Sequence, residues 1–333
     1  PIYQSSTYYF DSCEQGGRRF AGEENGFIYT RLGNPTTNVL EEKVAALENA
    51  EAAAAASSGM GAISSALWTI AKAGAHIVAD STLYGCTFAL ETPANPNLKI
   101  ADIKEISKIA HEFNKDIKVV CDNTFATPYL QRPLELGADV VVHSATKYLN
   151  GHGDVIAGFV VGSAEFINEV KMFGIKDMTG AVIDPFAAYL ILRGLKTFEL
   201  RMMRHCENAR AIAEMLSKHE KVEKVYFPGL ETSAGHDIAV KQMRDFGGMV
   251  SFEVKGGKTA GMKFVNALKL CTIAVSLGDA ETLVEHPASM THSPYSPEEL
   301  KEAGIPEGLV RLSAGLENKE DIIADIEQAL AQI

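Results

Sequence analysis

The sequence predicts an α/β protein, with a mostly parallel sheet in a large first domain and a smaller α+β domain after it. Short apolar runs alternate with helical stretches up to about residue 161, the signature of strands joined by crossover helices. From about Lys196 the pattern changes to helices interleaved with antiparallel-looking strands. The length of 333 residues also suits two domains, at roughly 150 residues each.

Residues 1–32 are polar, aromatic and glycine-bearing without a sustained period, and read as an arm. Thr36 to Ala56 is rich in alanine, glutamate and leucine, which favours helix throughout. Ser57-Ser58-Gly59-Met60-Gly61 interrupts it, and Ala62 to Ala73 is a second helix stopped at Gly74. Strands are expected at Ala75–Ala79, Ile117–Cys121, Ala138–Val142 and Ala157–Val161, with a helix at Ile103–Phe113. The domain assignment is therefore 1–32 for the arm, 33–198 for the first domain and 199–333 for the second. The last contains helices at Met202–Leu216 and Glu320–Ile333 and strands at Val222–Phe227 and Met249–Val254. One seam breaks the pattern. Residues 82–90 lead straight into Glu91-Thr92-Pro93 with no crossover, although parallel strands need a dozen or more residues between them. A segment is expected to be missing between Leu90 and Glu91.

The formal charge of −12 argues against nucleic-acid and anionic-membrane partners. No apolar run reaches the roughly 18 residues of a membrane span. The five cysteines are scattered, odd in number and without a Cys-x-x-Cys pair, which fits a reducing, cytoplasmic compartment. The histidines show no ligand spacing, so no metal is expected.

Chemistry concentrates at strand ends, where open α/β sheets bind ligands. Lys147 follows His143-Ser144-Ala145-Thr146 just past a buried strand. Ser144 and Thr146 suit a phosphate while the lysine forms an imine. Asp122 ends another strand at the same edge, and suits the ring nitrogen of pyridoxal phosphate, which it would keep protonated. Ser58-Gly59-Met60-Gly61 opens a helix and suits an anion, though alone it serves equally as a capping turn. Tyr84, again at a strand end, suits either packing or stacking on a cofactor ring with proton transfer to a leaving group. Arg311, between apolar neighbours on a strand, offers a planar fork for a carboxylate.

In order, these segments resemble the cysteine/methionine-metabolism family of pyridoxal-phosphate enzymes, the cystathionine γ-synthase group. The stretches that carry the likeness are Tyr29–Thr36, Ser58-Gly59-Met60, Glu91–Pro96, Asp122-Asn123-Thr124, Ser144–Tyr148, Glu285–Thr291 and Arg311-Leu312-Ser313. The resemblance implies fold-type I with pyridoxal 5'-phosphate on Lys147. Asp122 would face the ring nitrogen and Tyr84 would stack on the ring. Gly59, Met60, Ser144 and Thr146 would hold the phosphate, with Thr124 also among the cofactor-binding residues. Tyr29 and Arg31 would reach the phosphate of a neighbouring subunit, in a homotetramer built as a dimer of dimers. Asn95, Ser276 and Arg311 would lie on the substrate side, with Arg311 on the carboxylate.

Cys86 and the Lys176–Asp177 pair resemble the members that cleave L-methionine by α,γ-elimination into methanethiol, 2-oxobutanoate and ammonia. Homocysteine and cysteine are further expected substrates. On this likeness Cys86 joins Lys147 and Tyr84 among the catalytic residues, and Lys176 and Asp177 join the substrate side. Sulfhydrylases acting on O-acetylhomoserine, cystathionine γ-synthases and cystathionine lyases share the scaffold and are the alternatives.

Overall fold

A computed structural model describes residues 1–79 and 90–333. Among these residues the chain forms two five-stranded sheets, each with its own core.

The N-terminal segment carries one helix, α1 (Cys13–Ala21), and a bridge between Thr7 and Tyr29. Asn34 ties it down, donating to the Tyr3 carbonyl at 2.8 Å. The same side chain caps α2 (Pro35–Glu48), its Oδ1 accepting from Thr36 N at 2.9 Å, an N-cap reinforced by proline at the first helical position. Helix α2 ends at Glu48, and strand β1 occupies Ala52–Ala56. The expectation of one helix from Thr36 to Ala56 is therefore corrected at its C-terminal part. Ala53 and Ala55 join one core with Leu40 and Val44, whereas Ala54 and Ala56 join the opposite core with Ala62 and Ala66. A strand buried on both faces reads as a continuous apolar run, and alanine's helix propensity yields to that packing.

The first sheet has the order β1-β5-β4-β3-β2, where β2 is Leu90–Glu91, β3 Val120–Asp122, β4 Val140–Ser144 and β5 Gly158–Gly162. Its β2/β3 and β3/β4 pairs are parallel, and its β4/β5 and β5/β1 pairs antiparallel, so the sheet is mixed. The antiparallel pairs follow from the 13-residue connection 145–157, which carries the Lys147 turn and no crossover helix. Side-chain alternation is strict: Val141, Phe159 and Val161 face the α2 side, and Val140, Val142 and Val160 face α3 (Gly59–Ile70). Ala75–Ala79 pairs with no strand among the described residues, and Val78 is 97% exposed. The strand expected there is corrected: the segment has strand composition but joins no ladder among the described residues. Helix α4 (Ile103–Phe113) lies where expected.

The second sheet has the order β6-β7-β10-β9-β8, with β6 Val222–Tyr226, β7 Met249–Val254, β8 Thr272–Ile273, β9 Leu283–Glu285 and β10 Leu309–Ser313. Only its β8/β9 pair is parallel. Phe252, Val310 and Leu312 pack with Ile212, Phe264 and Ile326 from the helices Phe198–Leu216, Gly257–Ala267 and Lys319–Leu330.

Asp325 fastens the last of these helices to the chain before β8. Its carboxylate accepts the N–H groups of Lys269, Leu270 and Cys271 at 2.9 Å each. Burial pushes its carboxyl up, but these N–H groups outweigh burial and hold it below the ordinary range. A depressed folded-state value contributes stability above the unfolded-state value, and this is lost as pH falls through the folded one. Asp325→Asn is expected to destabilise the protein by about 1–3 kcal/mol at neutral pH. The deficit should shrink in acid, as urea titrations at the two pH values would show.

Candidate active site

The carboxyl ends of β3 and β4 meet residues of the second sheet at Lys147. Lys147 sits in the turn after β4, its Nζ donating to Ser276 Oγ at 3.1 Å. Burial, then Arg311, lowers its ammonium from the ordinary value, while Asp279 and Glu285 oppose the shift. Such a lysine gives up its proton more readily than a surface one, as imine chemistry requires. The loop carrying Ser276 reaches Lys147 because Gly278 adopts φ +75°, and a Cβ there would lie 2.7 Å from Tyr148 N. Gly278 N donates to Ser313 Oγ on β10 at 2.9 Å.

Arg311 projects from β10 and is almost fully buried. Its Nη1 donates to Asn95 Oδ1 at 3.0 Å, and its Nη2 to the carbonyls of Val275 and Ser276 at 3.0 and 3.1 Å. Lys147, Ser276, Asn95 and Arg311 thus form one connected cluster.

Asp122 ends β3, buried, with Thr124 N donating to its Oδ1 at 2.9 Å. Thr124 Oγ1 in turn accepts from Ser144 N at 2.8 Å, joining the ends of β3 and β4. Burial raises the Asp122 carboxyl, against the pull of Thr124 and His143. No lysine or arginine among the described residues forms an ion pair with it. A protonated ring nitrogen is the kind of cation this carboxylate lacks.

The start of α3 meets the end of β4. Ser58 Oγ accepts from Gly61 N at 2.9 Å, leaving the earlier N–H groups of Gly59 and Met60 outside the helix's own bonding. A Cβ on Gly59 would lie 2.9 Å from Ser144 Cβ, so only glycine allows this approach. Thr146 lies on the same turn, its Oγ1 accepting from Ala157 N at 3.1 Å. A helix N-terminus beside two hydroxyls fits a phosphate. The donor set as a whole fits pyridoxal phosphate.

Other expected residues lie apart. Tyr29 and Arg31 stack at 5.6 Å and line a groove of about 500 Å³ with Gln4, Gly180 and Asp184, a lining that does not include Lys147. Lys176 and Asp177 pair with each other at 3.1 Å in the wide π-helical segment Val170–Thr179. Tyr84 and Cys86 lie outside the described residues. Sequence reasoning missed two carboxylates and a histidine. Glu285 pairs with Arg311 at 3.1 Å. Behind Asp122, Glu48 holds both His143 and Asn123 in complete burial, at 2.6 and 2.9 Å. The available signal was a charged residue inside an apolar run, as in Leu283-Val284-Glu285.

Gly59→Ala is expected to weaken pyridoxal-phosphate affinity by about tenfold, equivalent to roughly 1.4 kcal/mol. Equilibrium dialysis against the cofactor would check this.

Comparison with known proteins agrees with this geometry. The model of the Cys/Met metabolism PLP-dependent enzyme family matches residues 1–90 and 87–331. L-methionine γ-lyase from Fusobacterium nucleatum subsp. nucleatum is 62% identical, covering 100% of this chain and 93% of the relative. L-methionine γ-lyase from Treponema denticola is 58% identical, covering 100% and 92%. Among solved structures, cystathionine γ-synthase from Xanthomonas oryzae pv. oryzae with aminoacrylate and cysteine has a TM-score of 0.91 at 38% identity, covering 100% and 92%. A lysine, a buried aspartate and a helix start meeting at one sheet edge are the parts such an enzyme needs, and the chain belongs to the Cys/Met metabolism PLP-dependent enzyme family.

Proposed function

We propose that the protein is a carbon–sulfur lyase that converts L-methionine and water into methanethiol, 2-oxobutanoate and ammonia, and also accepts homocysteine and cysteine. The observation that carries this reading is the Lys147–Ser276–Arg311–Asn95 cluster, a base and a carboxylate anchor held together. The choice of methionine rests on the γ-lyase relatives at 58–62% identity.

Bound pyridoxal phosphate supplies the electron sink for the α-carbon. Arg311 holds the substrate carboxylate, which orients the α C–H bond toward Lys147. Ser276 Oγ keeps Lys147 Nζ in place, and Lys147 removes the α-proton. Asp122 would face the ring nitrogen of the cofactor, and Gly59, Met60, Ser144 and Thr146 would hold its phosphate. Tyr84 protonates the leaving thiolate, and Cys86 with Lys176 and Asp177 tunes substrate preference.

We further infer that Tyr29 and Arg31 complete the site of a neighbouring copy, in a tetramer of two dimers. Their exposure, and the groove they line without Lys147, Ser276 or Arg311, support this. The unpaired cysteines Cys13, Cys121, Cys206 and Cys271 support a cytoplasmic setting. No helix among the described residues is long and apolar enough to cross a membrane. A family segment is inferred to be absent at the Leu90–Glu91 seam. In support, a relative at 62% identity aligns over 369 positions against 333 residues here, leaving 36 without a counterpart, and the family model matches in two pieces that meet at 87–90. The unit boundaries 1–32, 33–198 and 199–333 are proposed on the same footing.

With pyridoxal phosphate and L-methionine alone, the protein is expected to release 2-oxobutanoate and methanethiol in equal amounts. Inert methionine, with homocysteine formed from O-acetylhomoserine and sulfide, would overturn the reading in favour of a transferase. Arg311→Lys, which keeps the charge and loses the fork, is expected to raise the KM for methionine by about tenfold or more, as steady-state kinetics would show.

A further inference from the structure

Arg311 is already occupied by a carboxylate of its own protein. Glu285 lies directly across from it in the antiparallel β9/β10 register. Glu285 Oε1 stands 3.1 Å from Arg311 Nη1, and both side chains are 3% exposed. The second oxygen of Glu285, Oε2, is buried without a hydrogen-bond partner among the described residues. A buried carboxylate with one bare oxygen is only half compensated. A substrate carboxylate arriving at Arg311 adds a second anion to the same guanidinium. Two carboxylates sharing one buried site do not both stay ionised.

We propose that Glu285 is a proton-coupled counterion, which pairs with Arg311 in the empty site and takes up one proton from solvent as the substrate carboxylate docks. The proton goes to the Glu285 carboxyl, whose hold on Arg311 then weakens to a neutral contact. The inference rests on the reading of Arg311 as the carboxylate anchor. The charged groups acting on Glu285 are Arg311 on β10 and Lys147 from the turn after β4. Burial pushes its carboxyl above the ordinary range, and these two cations pull it back without cancelling the shift. Asp279 acts on Lys147 from the neighbouring loop, and His292 feels Arg311. Glu285 is therefore a positioning residue, because it reaches the substrate only through Arg311.

The experiment uses the holoenzyme and hexanoate, a carboxylate of methionine-like length whose missing amine rules out imine exchange. Calorimetry in buffers of different ionisation enthalpy reads the protons taken up on binding. In wild type, hexanoate binding is expected to take up protons and to weaken as pH rises through the Glu285 transition, approaching about tenfold per pH unit for one coupled proton. In Glu285→Gln, which keeps an acceptor for Arg311, binding at neutral pH should tighten by about fivefold or more, and the uptake should vanish. A purely structural Glu285 would give no such tightening. Absence of proton uptake in wild type overturns the proposal, whether or not the variant folds. Equal affinity and equal uptake in Glu285→Gln overturn it as well. Hexanoate binding that is indifferent to Arg311→Lys would instead sink the anchor reading beneath it.

Discussion

A buried guanidinium organises this molecule. Arg311 comes from the middle of the second sheet, and a charge that deep demands partners on every side. It finds them in Asn95, from the segment after β2, in Glu285 across the ladder, and in the carbonyls of Val275 and Ser276. One side chain thereby ties the second sheet to the first and fixes the loop that carries Ser276. That loop in turn holds Lys147. The lysine is thus held by a loop that the buried arginine fixes, although the two are 164 positions apart in sequence.

The electrostatics are unsettled in a directed way. Burial leaves Lys147 readier to lose its proton, and leaves the Asp122 carboxyl readier to keep one. Both shifts come mainly from burial, which favours the neutral amine that imine formation needs and leaves the carboxylate suited to a nearby cation. Pyridoxal phosphate offers both in one rigid ring, with an anion at the far end that suits the start of α3. Perturbed groups of this kind gather at functional sites because the same burial that strengthens the chemistry makes isolated charges costly. The His143–Glu48 pair behind Asp122 has a supporting part, since His143 draws the aspartate back toward its ionised form.

Much of this was legible from residue types alone. Lys147, Asp122 and Arg311 are polar residues set at or within apolar strands, and each lies at the cluster or sheet edge where strand logic located it. The β-branched runs around Val141 and Val160 became strands because their side chains fill both cores, whereas the run Ile117–Cys121 is strand only from Val120 onward. The alanine strand was illegible for a physical reason. Its residues have high helix propensity, and only the close packing of α2 and α3 on either face makes an extended chain preferable. Ala75–Ala79 has strand composition but no pairing partner, and composition cannot report whether a neighbour exists. Glu285 was legible only as part of a familiar stretch, because its pairing depends on register: only the ladder reveals that it stands opposite Arg311.

The account stands on one assignment, that Lys147 is where the cofactor is joined. Reduction of the loaded protein with borohydride, followed by peptide mass mapping, tests it directly. A single pyridoxyl adduct on Lys147 is expected. An adduct on another lysine, or a protein that binds the cofactor and yields no adduct, would contradict it.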